Sequence, residues 1–79
     1  MFYVYIIVSM DSPDRHYCGV TGDLRKRLDS HNAGEVTHTT KFAPWRLKNY
    51  IAFNDHPKAL AFEKYLKSGS GRAFAKRHF

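Results

Sequence analysis

The chain has 79 residues, with thirteen Lys and Arg against seven Asp and Glu, a formal net charge of +6, twelve aromatic residues (six Phe, five Tyr, one Trp) and one cysteine. That length allows one domain, residues 1–79, and excludes a second, because so short a chain buries a smaller fraction of its surface than a larger one. The lone Cys18 excludes an intrachain disulfide and a cysteine-rich zinc site, so aromatic packing must supply the core; the basic balance favours polyanions, nucleic acid first, with an anionic membrane surface or a ribosomal neighbourhood as rivals.

The opening residues "MFYVYIIV" are apolar, but no positive segment precedes them and no small-residue cleavage site follows. They are too short to span a membrane, and the expectation is a cytoplasmic protein. Phe2 to Val8 mixes aromatic and β-branched residues without a break, the pattern of a strand buried on both faces. "SMDSPDRH" supplies a loop, and Tyr17 to Val20 resumes a strand, completing a hairpin. Asp23 or Thr21 can cap a helix that runs to about Ala33 and stops at Gly34.

Glu35 to Ala43 has no period and reads as a polar surface loop ended by Pro44. "WRLKNYIAF" then alternates, placing Trp45, Leu47, Asn49, Ile51 and Phe53 on one side of a third strand. Pro57 suits the first turn of a second helix, which runs to about Ser68; "SGSG" breaks it, and "RAFAKRHF" forms a short basic helix. The order ββαβαα predicts an α+β domain with a mainly antiparallel three-stranded sheet flanked by about three helices.

Two helices carry polar residues where apolar ones belong. Leu24, Arg27, Leu28 and His31 share one face, and so do Ala59, Phe62, Glu63 and Leu66. A carboxylate turned inward must meet a cation, a hydrogen-bond network or a wet cleft, so Glu63 either pairs with Arg27 or a lysine, or belongs to a site. Arg27 can lie along its leucines with its head in water, and His31 can interact with the helix dipole. Tyr3 and Tyr5 share a face of the first strand and Tyr17 begins the second, either as packing or as a cluster of phenols near Arg27 and Glu63.

"YVY" at Tyr3 to Tyr5, separated by eleven residues from "YCG" at Tyr17 to Gly19, followed by Thr21, Leu24, Arg27, His31, Gly34, Pro44-Trp45 and Glu63, resembles the two-part signature of the GIY-YIG nuclease superfamily. The likeness spans nearly the whole chain and is closest to the small stand-alone bacterial members, related to the amino-terminal domain of the excision-repair incision subunit. It implies a three-stranded antiparallel sheet and hydrolysis of phosphodiester bonds in DNA, single-stranded or structured, with 5′-phosphate and 3′-hydroxyl products. Glu63 would hold a single Mg²⁺ or Mn²⁺ and Tyr17 would be the general base, with Tyr5, Arg27 and His31 completing the site. Tyr3 departs from the name-giving glycine and Cys18 from the middle residue of the second half, and no asparagine follows Asn54 to fill an auxiliary role found in some members.

Such a site makes chemical sense. A hard divalent ion can be held by one carboxylate, waters and a phosphate oxygen, and Arg27 can offer a planar fork to the non-bridging oxygens. A phenol titrates near pH 10, so Tyr17 as a base needs help from Arg27, a metal-bound water or a nearby lysine such as Lys26. Arg25, Lys26, Lys64, Lys67 and Arg72, with Lys76 and Arg77 in the same C-terminal third, are candidate phosphate contacts, or a plain solvated basic face. The competing readings are a nucleic-acid-binding module of the same fold without turnover, and an adaptor for an acidic protein or ribosomal RNA. A partner protein would supply specificity, and composition leaves the oligomeric state open.

Overall fold

The most apolar strand, β1 (Phe2–Ser9), is the middle of a three-stranded antiparallel sheet in the computed structural model, which describes all 79 residues. β2 (His16–Thr21) pairs along one edge and β3 (Trp45–Phe53) along the other, giving the order β2-β1-β3. The central position explains the unbroken hydrophobic run, since both faces of β1 are covered. Tyr5 and Ile7 face helix α1 (Leu24–Asn32), whose Leu24 and Leu28 pack on them with Trp45. Val4 and Ile6 face helices α3 (His56–Leu66) and α4 (Gly69–His78), meeting Ala59 and Leu66.

The helix boundaries follow from short polar residues. Asp23, not Thr21, caps α1 by accepting from the Lys26 N–H at 3.0 Å, and Gly34 beyond its end adopts φ +77°, a conformation that favours glycine. Asp55 caps α3 through the Lys58 N–H, with Pro57 in the first turn as its fixed φ allows.

Three expectations are corrected. The apparent single stripe of β3 is split, because the pairing with β1 shifts between Ile6 and Ile7, so that Asn49 lies opposite Ile6 and Leu47 opposite Ile7, with Lys48 as the extra residue. A bulge of this kind reverses the facing of everything beyond it. Trp45 and Leu47 thus face α1, while Asn49, Ile51 and Phe53 face α3 and α4.

The loop Glu35 to Ala43 contains a single helical turn, α2 (Thr37–Thr40), and buries Thr39, which alternation and helical periodicity do not register in so short a piece. The break between the last helices falls at Lys67 and Ser68, and the Gly69-Ser70-Gly71 of "SGSG" belongs to the first turn of α4, because Ser68 caps that helix by accepting from the Gly71 N–H. Gly71 also lets α4 approach α3: a Cβ there would overlap the Tyr65 carbonyl group.

Candidate active site around the edge strand

The site begins with Tyr5 crossing β2. Tyr5 and Gly19 are register partners, and a Cβ on Gly19 would lie 2.5 Å from the Tyr5 hydroxyl oxygen, so the missing side chain is the space through which the phenol reaches α1. There the Tyr5 Oη accepts from Arg27 Nε at 3.2 Å and lies 2.8 Å from His31 Nε2. His31 Nδ1 is 2.7 Å from Thr39 Oγ1, which lies 3.2 Å from the Val36 carbonyl oxygen. The expected positions of Arg27 and His31 on the α1 face are realised, and His31 is fully buried.

Proton positions in this chain follow from counting donors. Arg27 can only donate and the Val36 carbonyl can only accept. If Thr39 donates to Val36, His31 donates from Nδ1 to Thr39 and its bare Nε2 accepts the Tyr5 proton, which has no other protein acceptor within reach. This assignment, inferred from the network, gives every hydrogen a partner. Burial, aided by the nearby Arg27 guanidinium, lowers the His31 pKa and so favours the neutral ring that the assignment requires. Burial raises the Tyr5 pKa above 10.0 against the opposing pull of Arg27, so this phenol keeps its proton at neutral pH. The hydrogen bond to Tyr5 raises the Arg27 pKa and holds it as a cation.

Tyr17 stands beside this chain. Its ring lies 5.1 Å from that of His31, edge to face, and 6.5 Å from that of Tyr5, and with Tyr5 it helps to hold the Arg27 guanidinium as a cation. Glu63 comes from the other side of the sheet. Its carboxylate Oε2 is 3.2 Å from Lys67 Nζ, and that ammonium lies 5.8 Å from the Tyr17 ring centre. The two polar stripes therefore address the same sheet from opposite faces and meet around the edge strand β2, through Tyr17 and Lys67. Of the partners open to Glu63, a lysine is the one realised, and no hydrogen bond joins it to Arg27 or to either tyrosine. Between them, Cys18 is an inert thiol: burial, helped by the Glu63 carboxylate, pushes its pKa up to about 11.

Glu63 fits a lone hard cation. Its side chain is 23% exposed, leaving room for water to complete an oxygen shell, and its carboxylate already holds a cation in the form of an ammonium. No group of three or more His, Cys, Asp or Glu side chains is gathered anywhere, so a multidentate zinc-type site does not fit.

The basic candidates separate. Lys67, Arg72 and Lys76 line a groove between β2 and α4 together with Arg15, His16 and Lys48, three residues that sequence periodicity does not mark, since they come from a loop and two strands. Lys26 borders a shallow depression with Thr21, Asp23 and Arg27 on the α1 side. Arg25 and Lys64 are exposed and line neither. The lysine near Tyr17 is Lys67, and Lys26 is correspondingly not its neighbour in that groove. Sequence reasoning also missed Thr39, and Asn32, whose amide clamps the start of β3 by accepting from Trp45 N at 2.6 Å and donating to its carbonyl at 3.0 Å. A signal for both exists only in hindsight, as polar residues beside an otherwise bland Gly34.

Residues 1–77 match the model of the GIY-YIG catalytic domain, and the chain belongs to that family. It is 33% identical over 72 residues to a UPF0213 protein of Streptococcus pyogenes serotype M3, covering 90% of this chain and 76% of that one. A UPF0213 protein of Haloquadratum walsbyi is 36% identical over 67 residues, covering 84% and 73%. The structure-specific endonuclease subunit SLX1 homolog of Giardia intestinalis is 34% identical over 65 residues, 77% of this chain but only 18% of that protein's length. No helix is long and apolar enough to cross a membrane.

Proposed function

We propose that this protein is a metal-dependent endonuclease that hydrolyses phosphodiester bonds in DNA, single-stranded or structured, leaving 5′-phosphate and 3′-hydroxyl ends. The observation that carries this reading is the buried chain from Thr39 through His31 and Tyr5 to Arg27, which commits three polar side chains to holding one guanidinium beside the phenol of Tyr17. Arg27 is anchored to Tyr5 through its Nε–H and lies beside Tyr17, and the five donors of its guanidinium leave N–H groups to meet the non-bridging phosphate oxygens as charge builds on them. Tyr5 and His31 act through Arg27, as positioning residues. Tyr17, beside the same guanidinium, is the group to take the proton of the attacking water. Glu63 holds a single Mg²⁺ or Mn²⁺, which when bound polarises the phosphate and stabilises the leaving oxygen.

The resemblance of the sequence to small stand-alone bacterial members of the family, related to the excision-repair incision subunit, supports a place in DNA repair, in the cytoplasm. That the Giardia relative is named a subunit supports a partner protein as the source of specificity. One observation favours a second reading, a nucleic-acid-binding module without turnover: Lys67 alone connects Glu63 to the tyrosines and balances its charge.

The deciding experiment incubates purified protein with labelled single- and double-stranded DNA and RNA, in Mg²⁺, Mn²⁺ or chelator, beside Glu63→Ala and Tyr17→Phe. Metal-dependent cleavage of DNA that falls by at least about 100-fold in both variants is expected. Cleavage that persists in both overturns the site. Binding without cleavage of any substrate selects the second reading.

A further inference from the structure

We infer that the groove between β2 and α4 is a track for single-stranded nucleic acid leading to Tyr17, with phosphates on its cationic rim and bases on its apolar floor. The inference rests on the nuclease reading for its choice of a nucleic acid, and goes beyond it in naming the surface and the strand state.

Charge is the first argument. Arg15, Lys48, Lys67, Arg72 and Lys76 line the groove against the single carboxylate of Asp14. These five side chains come from the β1–β2 connection, β3, the end of α3 and α4, and only the tertiary fold gathers them. Lys48 is delivered by the β3 bulge, and its Nζ lies 3.5 Å from His16 Nε2 on the opposite edge strand, so the rim is continuous across one end of the sheet. A cleft lined by one sign of charge concentrates counter-charged ligands.

The floor is the second. Between the cations lie Ile6, Cys18, Leu66, Ala75 and Phe79, so the groove is apolar at its base and basic at its lip. A duplex keeps its bases stacked inside and offers mainly phosphates, which would engage the rim and leave the floor uncovered. An unpaired strand presents phosphates on one side and bases on the other, matching both. An acidic peptide matches the rim alone.

Placement is the third. Tyr17 and Lys67 line the groove, so a strand lying in it ends beside the phenol and one step from Glu63.

Fluorescence anisotropy in chelator, where no metal-dependent cut is made, tests the track separately from catalysis. The probes are short oligothymidylate, oligouridylate, a duplex of equal length and oligoglutamate as competitor. The single strands are expected to bind the wild type at least about tenfold more tightly than the duplex, with a steep salt dependence. Lys48→Glu and Lys76→Glu, made singly, are each expected to weaken them at least about fivefold and flatten the salt slope by about 0.7, while the charge-matched Lys58→Glu, at the start of α3 and outside the groove, changes binding less than about twofold. Phe79→Ala is expected to weaken single-strand binding several-fold without altering the salt slope, because it removes stacking surface and no charge.

Equal affinity for duplex and single strand, equal competition by oligoglutamate, or equal weakening by Lys58→Glu overturns the track. Lys48→Gln with Lys76→Gln, checked by thermal melting, repeats the test if the reversed charges unfold the protein. A protein that cuts DNA while the groove variants bind and cut as the wild type does leaves the nuclease reading standing and removes this one. Single-strand binding lost as expected, without cleavage under any condition, does the reverse.

Discussion

Thr39 carries more than its size implies. Its hydroxyl is the only partner of His31 Nδ1, and through His31 it decides which way the Tyr5 proton points. Thr39→Val removes that partner and leaves a buried nitrogen unpaired, which costs about 1–3 kcal/mol. The expected signature in ¹⁵N spectra is a neutral His31 ring protonated at Nδ1 in the wild type and in Thr39→Ser. A wild-type ring protonated at Nε2 contradicts the proton assignment. His31 also links stability to pH. Its folded pKa is depressed below the ordinary 6.5, so between the two values the unfolded chain binds a proton that the folded chain does not. Stability therefore rises with pH through that window, and is lost as the pH falls below about 6.5. Urea midpoints at about pH 7.5 and pH 5.5 are expected to differ more for the wild type than for His31→Gln, which lacks the titrating ring.

At the level of elements, the bulge in β3 is the decisive irregularity. It turns Trp45 and Leu47 toward α1 and Asn49 toward the opposite core, where the Asn49 Oδ1 is buried without a hydrogen-bond partner. Replacing an unsatisfied buried acceptor by an apolar group of similar shape is neutral or stabilising, so Asn49→Leu is expected to raise stability by up to about 1–2 kcal/mol in denaturant titration. Close approach of elements is set by glycines at two places. Gly71→Ala brings a methyl group onto the Tyr65 backbone, which cannot swing aside as a flexible side chain can, and is expected to lower the melting temperature through a loss of about 1–3 kcal/mol. Gly19 does for the site what Gly71 does for the helix pair, since the atom a Cβ would strike is the Tyr5 hydroxyl oxygen itself.

The whole molecule rests on one central strand. Ile7 is fully buried between β2, β3 and α1, and Ile7→Ala removes about 2–5 kcal/mol. That is a large fraction of the total stability of about 4–12 kcal/mol expected for 79 residues, so this variant is expected to melt at least about 10 °C below the wild type by circular dichroism. The same strand separates the two halves of the candidate site, with Tyr5 on its α1 face and Val4 and Ile6 meeting α3 and α4 on the other. The net charge of +6 becomes informative only once the fold gathers five cations along one groove.

Element order, the antiparallel hairpin and the polar intruders Arg27, His31 and Glu63 were legible in the chain, because local periodicity and capping residues report which side chains share a face. Asp23, Gly34 and Pro57 mark their helix ends by backbone chemistry that needs no partner. Periodicity reports nothing about which face of the sheet a helix will cover, and one inserted residue reverses a strand's facing without disturbing its alternation. For that reason the split of β3, the burial of Thr39 and the meeting of Tyr17 with Lys67 around the edge of β2 were decided by tertiary packing alone. Each depends on contacts between residues far apart in sequence, whose geometry no local pattern encodes.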